Sequence, residues 1–219
     1  GQDTPATHVA YDFIEILLDE LTSRGLRYEV AISQELLDVE VPNAYGEDIR
    51  ITDRDAILVR RHGKKNGWGP VKLTDASAGV FDTLVPLTLG GTDLEIPRGW
   101  VAVDGRLKGK KFRFVNAHLE DDFPPFIPIQ EAQAAELVAG PLVTNRALIC
   151  LGDFNSDAIG VGTDSYEILL NSGLVDTWTA SGGATWGHDA DLLNATPNLT
   201  QRLDLVLHDG SFVVRDIDV

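Results

Sequence analysis

One apolar segment with polar residues directly after it constrains the fold of this chain more than any other stretch. Residues 147–151, Ala-Leu-Ile-Cys-Leu, are apolar without alternation, which predicts a strand that is buried on both faces. Gly152-Asp153-Phe154-Asn155 follows at once. In an open α/β sheet, strand ends of this kind present catalytic side chains to a crevice. A plain turn is the alternative, because Asp and Asn both favour turns.

Two further segments carry polar side chains on predicted strands. Residues 112–119 alternate, which places Asn116 and His118 on the same side of one strand, two residues apart. Residues 201–207 form a strand in which Asp204 stands among leucines, and a carboxylate buried there would need a cationic or hydrogen-bonding partner. Together the three segments favour a catalytic site over a plain turn.

The three motifs, N-x-H-L, G-D-F-N and R-L-D-L-V-L, resemble in their order the endonuclease/exonuclease/phosphatase superfamily. Its members include DNase I-like nucleases, inositol-phosphate phosphatases and neutral sphingomyelinases. The resemblance runs from the first predicted helix to the last residue. It implies the DNase I-like α/β fold, in which two mixed β-sheets pack face to face with helices outside. A length of 219 residues fits one such domain over residues 1–219.

The resemblance also implies a reaction, the metal-dependent hydrolysis of a phosphate ester, most plausibly a phosphodiester. Asp153 is then expected to orient and deprotonate a water, and Asn155 to donate to that water or to a phosphoryl oxygen. His118 would donate to the phosphate, while Asn116 would hold His118 or the substrate. Asp204 resembles the family aspartate that orients a histidine near the C-terminus.

Two residues near the last motif have a substrate role as one of two alternatives. Arg202 could reach a phosphate, although a structural ion pair is the better expectation. Trp186 belongs to a Thr-Trp pair of the kind that often lines the site in this family. It could stack on a base or close over an apolar group, but a large aromatic residue is more often part of a core.

The cation implied by the resemblance is Mg²⁺ or Mn²⁺, hard ions that accept oxygen ligands. The family's metal-binding glutamate sits in a Q-E pair after an early strand, and Gln34-Glu35 offers such a pair. However, the family has a helix after this glutamate, whereas residues 36–53 show no helical period. The helix expected over residues 9–24 matches that family helix better. On this alignment Glu35 is a surface carboxylate and the glutamate precedes Gly1. Asp153 is then the candidate metal ligand, and metal binding is expected to be weak.

The two ends of the chain lead to a further expectation. The sequence contains no methionine, so Gly1 does not read as a translation start. Residues 212–219 have strand character and stop without a turn, and the family's Ser-Asp-His ending is missing. We therefore expect the central and C-proximal part of such an enzyme, with little or no activity by itself. The alternative is a non-catalytic member that uses the crevice to bind a ligand or a protein.

Charge narrows the partners without identifying one. The net charge of −16 argues against sequence-independent binding of a polyanion through a basic face. The expected substrate is a phosphate ester on a nucleic acid, a phospholipid head group or a sugar phosphate. No apolar run is long enough to span a bilayer, and a monomer is expected. The single Cys150 leaves the compartment open, although the resemblance favours a secreted bacterial-type protein.

The remaining elements follow from periodicity and turn residues. Residues 9–24 predict an amphipathic helix laid on a sheet, with Thr7 as its N-cap. Asp164 and Glu167 resemble a capping box that opens a helix over residues 165–171. Residues 61–79 predict a loop whose basic residues either face a phosphate or are simply solvated. Other predicted elements are strands over residues 26–32, 55–60, 81–89 and 99–103, a turn near Gly105, and a helix over residues 129–139.

Overall fold

The computed structural model describes residues 6–42, 45–61, 71–89, 92–178, 183–189, 191 and 193–217. Its helices are α1 (Phe13–Ser23), α2 (Ile127–Ala139) and α3 (Asp164–Asn171), with a short 3₁₀ turn over Pro124–Phe126. Its strands are β1 (Tyr28–Pro42), β2 (Asp48–Arg60), β3 (Lys72–Val80), β4 (Val85–Leu89), β5 (Thr92–Ile96), β6 (Gly99–Leu107), β7 (Lys110–His118), β8 (Ala147–Asp153), β9 (Val175–Asp176) and β10 (Asp204–His208).

A six-stranded mixed sheet forms the centre of the fold, in the order β3-β6-β7-β8-β10-β9. Its strands pair antiparallel except for β7 and β8, which are parallel and are connected through α2. A parallel pair needs such a crossover, whereas the antiparallel neighbours β6 and β7 need only the turn at Lys108-Gly109. Two antiparallel hairpins, β1–β2 and β4–β5, complete the strands of the described residues.

The two faces of the central sheet are covered by different layers. One face packs on α2 and α3 through Val115, Cys150 and Leu207, each of which is fully buried. The other face packs on the β1–β2 hairpin, where Ile57 meets Val101 of β6. The predicted arrangement of two sheets packed face to face with helices outside is therefore confirmed. In the described residues the second layer is an antiparallel hairpin rather than a mixed sheet.

The β8 strand was correctly predicted, but burial of both its faces was not. Leu148 and Cys150 are buried against the helices, whereas Ile149 and Leu151 on the opposite face are only half-buried. Val206 of β10, which pairs with Leu151, is 45% exposed. The β1–β2 hairpin packs on β6 and β7, so this face stays open over β8 and β10.

The N-terminal third differs most from its predictions. Helix α1 is capped by Asp12 rather than Thr7, and none of its residues is buried. Phe13 is 77% exposed, so the helix does not bury an apolar face on a sheet as predicted. The strand predicted to end at Ile32 continues through Glu35 to the end of β1, and most of the segment read as irregular belongs to β1 and β2.

Several other elements also differ from their predicted boundaries. The predicted loop over residues 61–79 contains β3, while Lys64, Lys65 and Trp68 lie outside the described residues. Gly105 lies within β6 rather than at a turn, because β6 continues to Leu107. Residues 212–217 form no strand. The N-cap of α3 is Thr163, whose side chain accepts from the Ser165 N–H, and Asp164 and Glu167 lie in its first turn.

Gly152 marks a point of close approach between β7 and β8. Its φ is +146°, and a Cβ built on it would lie 1.9 Å from the Ala117 carbonyl oxygen. No side chain can be accommodated there without separating the two strands.

We predict that Gly152→Ala lowers the free energy of unfolding by about 3 kcal/mol, because the added methyl group collides with backbone and not with a flexible side chain. Gly109→Ala is the matched control: φ is +84°, but a Cβ there meets nothing within 4 Å. The control should lose only about 1 kcal/mol. Urea unfolding followed by circular dichroism measures both losses, and equal losses would contradict the close-approach argument.

Candidate active site

Three of the predicted catalytic residues lie in one row across the central sheet. His118 of β7 pairs directly with Asp153 of β8, and Asp153 pairs with Asp204 of β10. Directly paired residues project from the same face of a sheet. The row therefore lies on the open face, at the C-terminal ends of β7 and β8. The structure thus brings together side chains that are separated in the sequence by 35 and 51 positions.

The loop after β8 holds Asp153 and Asn155 in place. The Asn155 N–H donates to Asp153 Oδ1 at 3.0 Å, and the Asn155 side chain donates to the Leu119 carbonyl at 2.9 Å. Asn155 has a φ of +49°, which asparagine tolerates better than most residues. Gln130 of α2, fully buried, donates to the backbone carbonyls of Asn155 and Glu120 at 2.8 Å and 2.7 Å. The site loop is thus fixed to the helix layer.

His118 is held between a cation and polar groups. Its Nδ1 lies 3.3 Å from an Arg98 guanidinium nitrogen. Because a guanidinium only donates, Nδ1 must accept, which assigns the proton of the neutral ring to Nε2. Nε2 lies 3.8 Å from Asp153 Oδ2 and 3.4 Å from Asn155 Nδ2; in this tautomer both nitrogen atoms are donors, so no hydrogen bond joins the His118 ring to Asn155. Burial, and then the charge of Arg98, lower the pKa of His118, while Asp153 opposes this shift.

Asp153 has the opposite perturbation. Burial is the largest cause that raises the pKa of its carboxyl group, and the neighbouring Asp204 adds to the effect. His118, the Asn155 N–H and Arg98 lower the pKa and partly compensate. The result is an aspartate more basic than one in water, beside a histidine that is less basic than usual.

Arg98 is a site residue that sequence reasoning missed. It precedes β6 and donates to Glu120, with Nε 3.1 Å from Oε2, and it lies 3.6 Å from Asp53. Glu120 is buried, so the pair positions the guanidinium against His118. Pro97-Arg98-Gly99 at the start of a predicted strand was the only signal. The partners of Arg98 are distant in sequence and were not predictable.

The other predicted site residues differ from one another in exposure and in contacts. Asn116 lies two residues before His118 on the same face and is half-buried. Asp204 is exposed, so it needs no buried partner; its N–H donates to the Thr185 hydroxyl at 3.1 Å. Trp186 is 54% exposed and is bridged through its backbone to Gln201. Contact of Trp186 with substrate stays a prediction.

Arg202 forms the structural ion pair that was the better expectation of its two alternatives. It is 4% exposed, and its guanidinium donates to both carboxylate oxygens of Asp176 at 3.2 Å and 2.7 Å. Tyr166 also donates to Asp176, at 2.8 Å. The guanidinium charge of Arg202 is therefore buried against a carboxylate, as the ion-pair alternative expects, and contact of Arg202 with a phosphate stays a prediction.

The described residues do not complete a metal site. Nowhere in the described part of the chain do three or more histidine, cysteine, aspartate or glutamate side chains come together as they would around one ion. Glu35 lies within β1 opposite Arg54, not at the end of a strand. Asp153 and Asp204 are neighbours, but two carboxylates alone do not hold Mg²⁺ or Mn²⁺ tightly.

A family model for the endonuclease/exonuclease/phosphatase family matches residues 38–219. The chain belongs to the endonuclease/exonuclease/phosphatase family. This is a family of phosphoester hydrolases whose members generally use divalent metal ions. No curated protein sequence matches the chain.

Solved structures of this family share the fold. A family protein from Leptotrichia buccalis C-1013-b matches with a TM-score of 0.52 and 17% identity over 92% of this chain and 70% of its own. A family protein from Bacteroides thetaiotaomicron matches with a TM-score of 0.55 and 18% identity, over 91% and 66%. The inositol polyphosphate 5-phosphatase domain of SPsynaptojanin, in complex with inositol (1,4)-bisphosphate and calcium ion, matches with a TM-score of 0.51 and 14% identity, over 90% and 59%.

These structural matches establish the DNase I-like fold of the chain. The chain spans 59–70% of the length of the three structures. Among the helices that the structure describes, none is long and apolar enough to cross a membrane.

A buried carboxyl group, that of Asp55, interacts electrostatically with Arg98. Asp55 of β2 is 8% exposed, and its Oδ2 has no hydrogen-bond partner. It pairs with Gln34, whose Oε1 is also buried and unpartnered. Burial, and then the charge of Asp53, raise the pKa of Asp55 to about 7, although Arg98 opposes the shift. A protonated Asp55 can donate a hydrogen bond, whereas an ionised Asp55 cannot.

We predict that Asp55→Asn stabilises the protein at alkaline pH. The folded protein binds the Asp55 proton more tightly than the unfolded chain, so ionisation costs stability as the pH rises from about 4 to about 7. The substitution removes this cost, and the variant should exceed the wild type by roughly 2–4 kcal/mol above pH 7. The two proteins should converge towards pH 4.

Urea unfolding at several pH values measures this difference. Asp19→Asn, which removes an exposed carboxylate from α1, is the control and should follow the wild type at every pH. A constant difference between Asp55→Asn and the wild type from pH 4 to 8 would show that Asp55 ionises normally.

Proposed function

We propose that the site hydrolyses phosphodiesters in a reaction that depends on Mg²⁺ or Mn²⁺. The observation that carries the proposal is the row of His118, Asp153 and Asp204 on the open face of the sheet, with Arg98 and Asn155 beside it. The row combines a basic carboxylate with neutral and cationic hydrogen-bond donors. Phosphoester hydrolysis needs both kinds of group.

Asp153 is the proposed base. Its carboxylate is oriented by the Asn155 N–H, and its raised pKa makes it a better proton acceptor than an aspartate in water. It can therefore orient a water on the open face and take its proton as the water attacks phosphorus. Asp204, one strand away, sustains this basicity through its negative charge.

His118 and Asn155 are the proposed donors to the phosphate. Arg98 keeps the imidazole proton on Nε2, which is the nitrogen nearer Asp153. A neutral Nε2–H can donate to a phosphoryl oxygen without losing a proton. Asn155 donates one amide hydrogen to Leu119, and its second hydrogen remains for the substrate or the water. The nearby Arg98 charge adds electrostatic stabilisation for the developing negative charge.

The metal and the substrate limit the activity expected from this chain. Because the described residues assemble no group of three ligands, the proposed Mg²⁺ or Mn²⁺ would bind weakly and turnover would be slow. The net charge of −16 also disfavours long nucleic acids. A small phosphodiester, such as that of a phospholipid head group, fits this charge better.

We predict that Asp153→Asn lowers the rate of bis(p-nitrophenyl) phosphate hydrolysis by about 10²-fold or more, because the amide cannot accept the proton of the attacking water. The wild-type chain should hydrolyse the ester slowly. Its rate should keep increasing with Mn²⁺ or Mg²⁺ concentration beyond one ion per protein molecule. Release of p-nitrophenol, measured at high protein concentration, gives the rates.

Asp164→Asn is the matched control, because it also neutralises one aspartate but lies in an exposed first turn of α3. It should keep the wild-type rate. Equal rates for Asp153→Asn and the wild type would exclude Asp153 as the base. No turnover by the wild type at any ion concentration would contradict the hydrolase proposal for this chain and favour the non-catalytic alternative.

A further inference from the structure

Basic side chains line up across the end of the central sheet that is opposite to the active site. Lys72 of β3 pairs directly with Arg106 of β6, and Arg106 pairs directly with Lys111 of β7. Arg146 immediately precedes β8 and follows Lys111 in the row, because the next pair in that register is Phe112 with Ala147. These four residues, here called the basic row, project towards the face on which the helices pack.

The basic row is separate from the candidate active site. Lys111 and His118 lie seven positions apart on the same strand. At about 3.3 Å per residue, this separation corresponds to roughly 23 Å along the strand. The two residues also project from opposite faces, because their separation of seven positions is odd. A group bound at the basic row therefore cannot be the one hydrolysed at Asp153.

Composition does not force these charges together. The chain has 34 acidic residues and only 18 basic ones. A random arrangement would therefore place most basic side chains beside acidic residues and away from one another. Like charges placed directly opposite each other on neighbouring strands repel. Within the described ranges, Lys72, Arg106 and Lys111 form no ion pair with any other described residue. Among the described residues, no acidic side chain therefore offsets the repulsion between these three cations.

The acidic groups nearby do not neutralise the positive charge of the basic row. Asp104 is 7% exposed and accepts from two arginines, with Arg113 Nε at 2.9 Å and Arg146 Nε at 3.0 Å. One carboxylate between two guanidinium groups leaves an excess positive charge. Asp75, the direct partner of Asp104, is exposed and accepts from the Ala76 N–H. The other contact of Arg113 is the Pro141 carbonyl at 3.2 Å, which carries no net charge.

The row opens into a small cavity of about 110 Å³. Its lining consists of Thr74, Gly105, Arg106, Lys111 and Arg146. Arg146 is only partly exposed and is held in position by Asp104, so its orientation is fixed before any ligand binds. Two guanidinium groups, an ammonium group and a hydroxyl group around one cavity match the oxygen atoms of a phosphate group, because each supplies hydrogen-bond donors.

We propose that this cavity binds a phosphate group of a ligand that is not the substrate of the active site. A phosphomonoester is favoured over a carboxylate, because it brings close to two negative charges and three strong acceptor oxygens to a site with excess positive charge. The phosphate belongs either to a soluble molecule or to a lipid head group. Both have the same chemistry at the cavity.

Inorganic phosphate is the first probe, added to ¹⁵N-labelled protein at low ionic strength. The expected result is a saturable shift of the backbone amides of residues 105–111 and 146. The double variant Arg106→Gln/Lys111→Gln should weaken this binding at least tenfold. The control Arg24→Gln/Arg215→Gln removes two positive charges from exposed positions elsewhere and should bind as the wild type does.

Phosphate could also bind at the active site, and the position of the shifted amides separates the two events. Shifts confined to residues 118–120 and 152–155 would overturn the proposal, as would equal weakening in the double variant and the control. A second arm uses phosphatidylcholine vesicles with and without phosphatidic acid. Cosedimentation that requires phosphatidic acid and is lost in the double variant assigns a lipid source. Phosphate binding without cosedimentation assigns a soluble one.

Discussion

The close approach of β7 and β8 at Gly152 is the constraint on which the candidate active site depends. A side chain at this position would overlap the Ala117 carbonyl, so the strands can keep their spacing only with glycine. In the parallel register of the two strands, Ala117 pairs with Gly152 at this close approach and His118 pairs with Asp153. A slip of one residue would turn His118 towards the helices and remove it from the open face. β10 then adds Asp204 on the other side of Asp153.

Electrostatics within the site follow from this packing. Among the described residues, Arg98 is the only cation close to the active-site row of His118, Asp153 and Asp204. Its guanidinium contacts Glu120, Asp53 and His118. Its charge disfavours protonation of the imidazole, while burial disfavours ionisation of Asp153. A neutral donor and a basic carboxylate can thus coexist a few ångströms apart. The proposed hydrolysis needs this division of roles.

The sequence was informative where local pattern and tertiary structure agree. The run ending in G-D-F-N predicted β8, and the alternation before His118 predicted that Asn116 and His118 share a face. The β1–β2 hairpin was not predicted beyond its ends, because residues 36–53 combine turn-forming residues with an irregular polar pattern. Arg98 was missed because its partners are brought to it only in the folded protein, Glu120 by the pairing of β6 with β7 and Asp53 by the β1–β2 hairpin. For Arg202 an ion pair was expected, but its partner Asp176, 26 positions away, could not be identified from the sequence.

In the proposed reaction, His118 faces the position of a bound phosphate. The most direct test is the NMR titration of the His118 imidazole with and without inorganic phosphate. In the free protein we expect a pKa of His118 below the usual histidine value, because of burial and the charge of Arg98. We also expect phosphate to raise this pKa, since the anion favours the imidazolium. An ordinary pKa that phosphate leaves unchanged would contradict the placement of His118 at the phosphate site.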